Sequence, residues 1–132
     1  MKTLAIVWQR LVTPAQTTCP RCRATEAAVR HAFTTLQAAL EPLGIRTTLE
    51  SAELDADAFQ SAPAESNRIW IAGQPLEHWL GATVGSSRCC GACGDTGCRT
   101  VVVGKDTYEA IPEKLILQAA LTALPELENV PA

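Results

Sequence analysis

Apolar and polar positions alternate along the chain in a pattern that predicts strands and helices in turn. Leu4–Trp8 is a continuous apolar run, which is typical of a strand that is covered on both faces and central in a sheet. Ile45–Leu49 alternates between apolar and polar side chains and predicts a second strand. Arg68–Ile71 predicts a third strand, closed by a turn at residues 72–75. Between the second and third strands we expect a short helix around Asp55–Gln60.

A long helix is predicted between the first two strands. Apolar side chains recur there at intervals of three or four residues, which places them on one helical face: Val29, Phe33, Leu36, Leu40 and Leu43. Cys19 stands at the start of this helix, and Pro20 suits the first turn because its missing N–H is not needed there. Pro42 and Gly44 end the helix. Since a whole helix separates the two strands, we expect them to be parallel.

The second half of the chain predicts shorter elements. The apolar turn Leu76–Leu80 predicts a short helix that Gly81 stops. Thr100–Val103 and Tyr108–Ala110 flank turn-forming residues and predict a hairpin. Pro112 and the residue after it open a last helix. Its apolar positions are Leu115, Ile116, Ala119, Ala120, Ala123 and Leu124.

Composition and charge limit what the protein can bind. A chain of 132 residues suits one domain with one core, so we expect a single domain over residues 1–132. Apolar residues make up 47% of the chain and charged residues 19%, with a net charge of -3. These values indicate neither disorder nor a basic surface that follows phosphates. Nucleic acid is therefore not an expected partner.

Export and membrane insertion are not expected either. Gln9 and Arg10 interrupt the first apolar run before it reaches the length of a secretory signal. No stretch approaches the roughly 20 apolar residues that a membrane-spanning helix needs. We therefore expect a cytoplasmic protein without a membrane partner. Because the cytosol is reducing, six cysteines favour metal binding or transient redox chemistry over a disulfide framework.

The first cysteine cluster is the CxxC motif of Cys19 and Cys22. Two cysteines three residues apart in a first helical turn lie on one face, close enough to form a disulfide or to bind one metal ion. The free N–H groups and dipole of the helix favour thiolate, and Arg21 and Arg23 add positive charge, so we expect a lowered pKa for the Cys19 thiol. Cys19 would attack and Cys22 would resolve. Half of a structural zinc site is the alternative.

The second cluster holds four sulfurs within ten residues, in a loop rich in Gly and Ser at about residues 81–99. Its members are Cys89, Cys90, Cys93 and Cys98. Cys90 and Cys93 have the spacing of a zinc knuckle, and the other two supply further ligands. The cluster predicts zinc or another thiophilic ion, such as arsenic(III), mercury(II) or copper(I). Disulfides within the loop are the alternative. No organic cofactor is indicated, and His78 is a further candidate ligand.

The order of elements, with a CxxC motif where the first strand passes into the first helix, resembles the thioredoxin fold. More narrowly, five segments look like an uncharacterised prokaryotic family classed as thioredoxin-like and labelled a domain of unknown function: Trp8–Leu11, Cys19–Cys22, Glu65–Ile71, Cys89–Asp95 and Cys98–Thr100. The resemblance covers nearly the whole chain. It implies an α/β fold in which helices flank a four-stranded mixed sheet, with the Cys-rich loop inserted after the third strand.

Together these features predict a cytosolic thiol protein in which Cys19 and Cys22 cycle between dithiol and disulfide. The second cluster would bind a metal or relay thiol exchange, and the partner would be a redox protein or a small thiol. The alternative is a carrier of soft metals or metalloids without turnover. Thioredoxin-like enzymes normally present a cis-proline before the third strand, but Ser66 and Asn67 stand there, which favours the carrier. A structural zinc domain is a third hypothesis.

Overall fold

The computed structural model of the protein describes residues 2–11, 20–54, 68–87 and 98–127. The strands are β1 (Lys2–Leu11), β2 (Ile45–Leu54), β3 (Arg68–Ile71), β4 (Gln74–Pro75), β5 (Thr83–Ser87), β6 (Cys98–Val103) and β7 (Asp106–Tyr108). The helices are α1 (Pro20–Leu40), α2 (Leu76–Leu80) and α3 (Glu113–Ala123), and 3-10 turns follow at Glu41–Leu43 and Leu124–Glu126. Among the described helices, none combines the length and the apolar character that crossing a membrane requires.

The larger sheet has four strands in the order β2-β1-β3-β4. β1 is parallel to β2 and antiparallel to β3, and β4 is antiparallel to β3. The predicted mixed sheet, the parallel pair and the interior position of β1 are therefore confirmed. The fourth strand is the two-residue segment Gln74–Pro75, which continues directly from the turn at residues 72–73.

The core lies on one face of this sheet. Leu4, Ile6 and Trp8 alternate along β1 and are at most 1% exposed. Ile69 and Ile71 lie directly opposite Trp8 and Ile6 on β3 and are at most 2% exposed. Helices α1 and α3 contact each other and cover this face. On the opposite face, residues 5 and 7 are only partly buried, so the prediction of burial on both faces is correct for one face.

Helix α1 begins at the predicted residue and buries most of the predicted stripe. Val29, Leu36 and Leu40 are at most 3% exposed, whereas Leu43 is 69% exposed. The helix ends at Leu40, and the tighter 3-10 turn that follows rotates Leu43 away from the stripe. Gly44 then takes a left-handed φ of 78°, a conformation that glycine adopts without steric cost. The prediction is therefore wrong for Leu43 and confirmed for the glycine that ends the segment.

A buried hydrogen bond joins α1 to the residues before α3. The Ile111 N–H donates to Thr25 Oγ1 at 3.0 Å, across 86 positions of sequence. Thr25 is fully buried and Ile111 is 3% exposed. At the surface of the same helix pair, His31 Nδ1 and Glu113 Oε2 are 3.7 Å apart. The buried bond is the more consequential contact, because a buried N–H without a partner costs free energy.

The smaller sheet has three antiparallel strands in the order β5-β6-β7. The prediction of a loop over residues 81–99 is wrong for Thr83–Ser87 and for Cys98, which belong to strands β5 and β6. The predicted hairpin forms, with a shorter turn and a second strand at Asp106–Tyr108. Val101 of β6 is buried in the common core. The helix expected around Asp55–Gln60 lies outside the described residues.

Helix α2 is confirmed at Leu76–Leu80 and ends at Gly81, whose φ is 63°. Leu76 is buried in the core at 1% exposure. The Trp79 indole Nε1 donates a hydrogen bond of 2.7 Å to the carbonyl of Ile71 at the end of β3. This bond fixes the short helix against the sheet, since a five-residue helix has little stability of its own.

Replacing Thr25 with Val is expected to lower the free energy of unfolding by about 1–3 kcal/mol, because the Ile111 N–H loses its acceptor in a buried place. Thr34→Val on the same helix is the matched control. The Thr34 hydroxyl donates to the Arg30 carbonyl at an exposed position, so its loss should cost less than about 0.5 kcal/mol. Urea denaturation measures both values, and equal costs would contradict the assignment.

Gly85→Ala is expected to destabilise the smaller sheet. Gly85 lies opposite Thr100, and a Cβ at Gly85 would come within 2.8 Å of Thr100 Oγ1, while Thr100 is 2% exposed. Overpacking of this kind costs about 1–3 kcal/mol. The same substitution in a Thr100→Ala background should cost less because the opposing oxygen is gone. An equal cost in both backgrounds, measured by denaturation, would disprove the steric explanation.

Candidate functional site

The first turn of α1 lies at the edge of the larger sheet where β1 and β2 end. Because these strands are parallel, Leu11 and Leu54 finish at the same edge. The antiparallel strand β3 begins there, with Arg68 opposite Gln9. Arg10 near the end of β1 is 4.0 Å from Glu26 in α1, which brings the first turns of the helix to this edge. We call it the carboxyl edge of the sheet.

The CxxC motif coincides with the start of α1. Pro20 is the first helical residue and Cys22 the third. Cys19 directly precedes the helix in the sequence and lies outside the described residues. The sequence prediction of a helix that starts at this motif is therefore confirmed for Pro20 and Cys22. What the cysteines do there remains a prediction.

The charges in the first two turns of α1 favour an anion at the helix start. The first turn contains no acidic residue, and Arg23 is exposed. One turn after Cys22, Glu26 accepts a hydrogen bond of 2.9 Å from Arg30, and Arg10 approaches it from the sheet. Arg30 and Arg10 thus balance the negative charge of Glu26, which follows the first turn of α1. The positive end of the helix dipole is left without an opposing charge from Glu26.

Arg10 connects three elements at the carboxyl edge. Its guanidinium lies 3.6 Å from Glu53 of β2 and 4.0 Å from Glu26 of α1. It also lies over the Trp8 ring, 5.6 Å from the ring centroid. Arg10 is not among the site residues predicted from the sequence. The signal was present, since Arg10 continues the alternation of Leu4, Ile6 and Trp8 and so places a charge on the buried face.

On the opposite face of the same edge, Arg68 and Trp70 form a second cation–aromatic contact. The Arg68 guanidinium is 4.6 Å from the centroid of the Trp70 ring. Trp70 is partly buried and lies opposite Val7. Both faces of the carboxyl edge therefore carry an arginine against an indole ring.

Among the described residues no peptide bond is cis. Ser66 and Asn67, which precede β3 in the sequence, lie outside those residues.

The second cysteine cluster belongs to the connection between β5 and β6. Cys98 is the first residue of β6 and pairs with Ser87, the last residue of β5. Cys89, Cys90 and Cys93 lie outside the described residues. The sequence predicts all four cysteines in one loop. The pairing instead sets Cys98 on a strand, at the end of the antiparallel ladder that the connection between β5 and β6 joins.

In the described part of the chain, which leaves out four of the six cysteines, no three His, Cys, Asp or Glu side chains come together as a metal site. His78, the further candidate ligand, is exposed on α2. Its ring meets the Trp79 ring edge-on, with 4.8 Å between the centroids. The described contacts of His78 are thus aromatic, and its role as a ligand stays a prediction.

Comparisons with known proteins give the family of the chain. A protein of Archaeoglobus fulgidus, described as uncharacterized, is similar to it: 39% of 113 aligned residues are identical, covering 86% of this chain and 82% of the archaeal protein. No solved structure matches the chain. Residues 4–120 match the family described as Domain of unknown function (DUF2703). A match over that span establishes membership, and the chain therefore belongs to the DUF2703 family.

Proposed function

We propose that the protein is a thioredoxin-like thiol protein in which Cys19 and Cys22 cycle between dithiol and disulfide. The observation that carries the proposal is the start of α1 at Pro20, directly after Cys19 and next to the carboxyl edge of the central strand. A thiolate at a helix start is stabilised by the free N–H groups and by the helix dipole. This is the position at which thioredoxin-like proteins carry their CxxC motif.

The topology of the larger sheet supports the same proposal. Its order is β2-β1-β3-β4, with β1 and β2 parallel and the other two strands antiparallel to their neighbours. Thioredoxin-like domains share this order, in which a β-α-β unit is followed by antiparallel strands and a closing helix. Helix α3 is that closing helix here, and it packs against α1. A shared order supports a fold and does not by itself supply an activity.

The proposed chemistry is thiol–disulfide exchange. The Cys19 thiolate attacks one sulfur of a partner disulfide, which releases the first partner thiolate and leaves a mixed disulfide. The Cys22 thiolate then attacks Cys19 Sγ, which forms the Cys19–Cys22 disulfide and releases the second partner thiolate. Each released thiolate takes up one proton. The protein loses two electrons and the partner disulfide gains them.

The positive charge around the first turn suits the first of these steps. Arg23 is exposed beside the motif, and the negative charge of Glu26 is balanced by Arg30 at 2.9 Å. The helix start and Arg23 would therefore stabilise a thiolate at Cys19, and Arg30 would offset the repulsion from Glu26 of the same helix. Thiolate character controls the reactivity of a cysteine.

For the second cluster we propose a thiophilic metal ion, zinc in the first place. The ladder between β5 and β6 ends at the pair of Ser87 and Cys98, so that one proposed ligand is carried by a strand. Cys89, Cys90 and Cys93 would complete a four-sulfur set, which matches the tetrahedral preference of zinc. Bound metal would hold together the loop end of the hairpin.

The second candidate function is a carrier of soft metals or metalloids in which nothing is turned over. It is favoured by the residues before β3, where Ser66 and Asn67 replace the proline that thioredoxin-like enzymes normally present to an extended substrate. In this alternative both clusters bind ions, and the Cys19–Cys22 pair shows no exchange with disulfides. Three or four thiolates favour soft ions.

The first test is the reactivity of Cys19 in reduced, metal-free Cys22→Ser protein. We expect the midpoint of alkylation against pH to lie at least about one unit below that of the same protein in denaturant, because the helix start and Arg23 stabilise the thiolate. Mass spectrometry of the Cys19 peptide gives the rate. Arg23→Gln should raise the midpoint, whereas Lys105→Gln, at an exposed turn of the smaller sheet, should not. Equal midpoints in native and denatured protein would remove the proposed nucleophile.

The second test is metal content of anaerobically purified protein, combined with a count of free thiols. We expect one ion per chain, lost in Cys90→Ser and kept in Cys22→Ser. Chelation should change backbone NMR shifts within residues 86–99 and leave β1–β3 unchanged, because the larger sheet has its own apolar core. Metal lost in both variants would favour the carrier, and unchanged shifts after chelation would contradict a metal-organised hairpin.

A further inference from the structure

The outer edge of β2 is a long strand edge at the end of the larger sheet. β2 runs over ten residues, and β1 is its neighbour on one side. Within the described ranges, no strand pairs with its other side. An edge strand presents backbone N–H and C=O groups that can pair with another strand. Ten residues is at the upper end of strand lengths in globular proteins, so this edge offers many such groups.

The beginning of this edge is accessible from the side of α1. A groove of about 340 Å³ lies between the end of α1 and the start of β2. Its lining residues are Gln37, Glu41, Ile45, Arg46 and Thr47. Thr47 is 5% exposed, and its hydroxyl oxygen is buried without a hydrogen-bond partner among the described residues. The groove therefore opens beside the first residues of β2, next to the end of α1.

Two exposed charges of opposite sign lie on the solvent-facing side of β2. Arg46 and Glu50 pair with Thr3 and Val7 of β1, which places both on the face away from α1. Both are exposed, and within the described chain neither forms an ion pair. Four residues along a strand span about 13 Å. The two side chains are therefore too far apart to neutralise each other.

A two-fold symmetric partner strand would bring these charges together. In an antiparallel pair centred on Thr48, Arg46 lies opposite Glu50 of the second copy, and Glu50 lies opposite Arg46 of the second copy. Opposite charges that face each other across strands stabilise the pair. Each such dimer contains the attractive pair twice.

Other symmetric registers lack this complementarity. A pair centred on Arg46 sets arginine against arginine, and one centred on Glu50 sets glutamate against glutamate. Centres at Thr47 or Leu49 leave both charges opposite uncharged residues. A register whose two-fold axis falls between two residues would set backbone groups that point towards the second copy against groups that point towards β1, and would form no ladder. The charges therefore select the register centred on Thr48.

We propose that β2 pairs antiparallel with β2 of a second copy of this chain, in the register centred on Thr48. The two larger sheets then join into one continuous sheet with α1 of both copies on the same side. The carboxyl edge, with the start of α1, stays open in each copy, because β2 pairs through its outer edge. The proposal does not depend on the function of the cysteines.

The test is sedimentation velocity of the full chain over a range of concentrations, in reducing buffer so that intermolecular disulfides do not contribute. We expect a concentration-dependent dimer. Arg46→Glu and Glu50→Arg should each raise the dissociation constant at least about tenfold, because symmetry turns two attractive pairs into two repulsive ones. The double variant Arg46→Glu/Glu50→Arg should restore dimerisation, since it recreates both pairs with their signs exchanged.

Lys105→Glu is the matched control for Arg46→Glu, because it changes the net charge equally at an exposed turn of the smaller sheet. It should leave the dimer unchanged. Circular dichroism verifies that each variant is folded. A monomer at every concentration would overturn the proposal. So would a dimer that Lys105→Glu weakens as much as Arg46→Glu, or a double variant that dimerises no better than the single ones.

Discussion

The parallel pairing of β1 with β2 is the constraint on which the rest of the structure depends. Two parallel neighbours require a crossover that returns the chain to the opposite edge of the sheet, and α1 is that crossover. The helix must therefore begin near the end of β1 and cover the face that carries Leu4, Ile6 and Trp8. This requirement brings Pro20 and Cys22 to the carboxyl edge. The place of the CxxC motif thus follows from strand direction.

Charge at the carboxyl edge follows from the same packing. Arg10 lies on the buried face, where its guanidinium contacts both Glu26 and Glu53, and the helix start stays positive because Glu26 is also paired with Arg30. The other charges on β2 lie elsewhere. Arg46 and Glu50 are exposed on the face of the sheet away from α1. One sheet therefore carries arginine–carboxylate pairs where β1 and α1 meet and two exposed, oppositely charged side chains along the outer strand β2.

The smaller sheet gives the second cysteine cluster a defined base. Val101 anchors β6 in the common core, and β5 pairs with β6 where the absence of a Cβ at Gly85 leaves room for the Thr100 side chain. Cys98 is therefore the first residue of a strand that is anchored in the core. For the metal site proposed above, a cysteine carried by a strand is favourable, because an ordered backbone loses less freedom on binding.

The sequence by itself determined the elements that depend on local pattern. The apolar spacing predicted α1, Pro20 predicted where it starts, and Gly81 predicted the end of α2, since periodicity and backbone restrictions act within a few residues. The helix between the first two strands predicted that they are parallel. Only the tertiary structure decided that Thr83–Ser87 is a strand, because a segment rich in glycine and serine becomes a strand when a partner such as β6 pairs with it. It also decided that Arg10 meets Glu26 and that Thr25 reaches Ile111. Those contacts join residues far apart in the chain, and no local pattern encodes them.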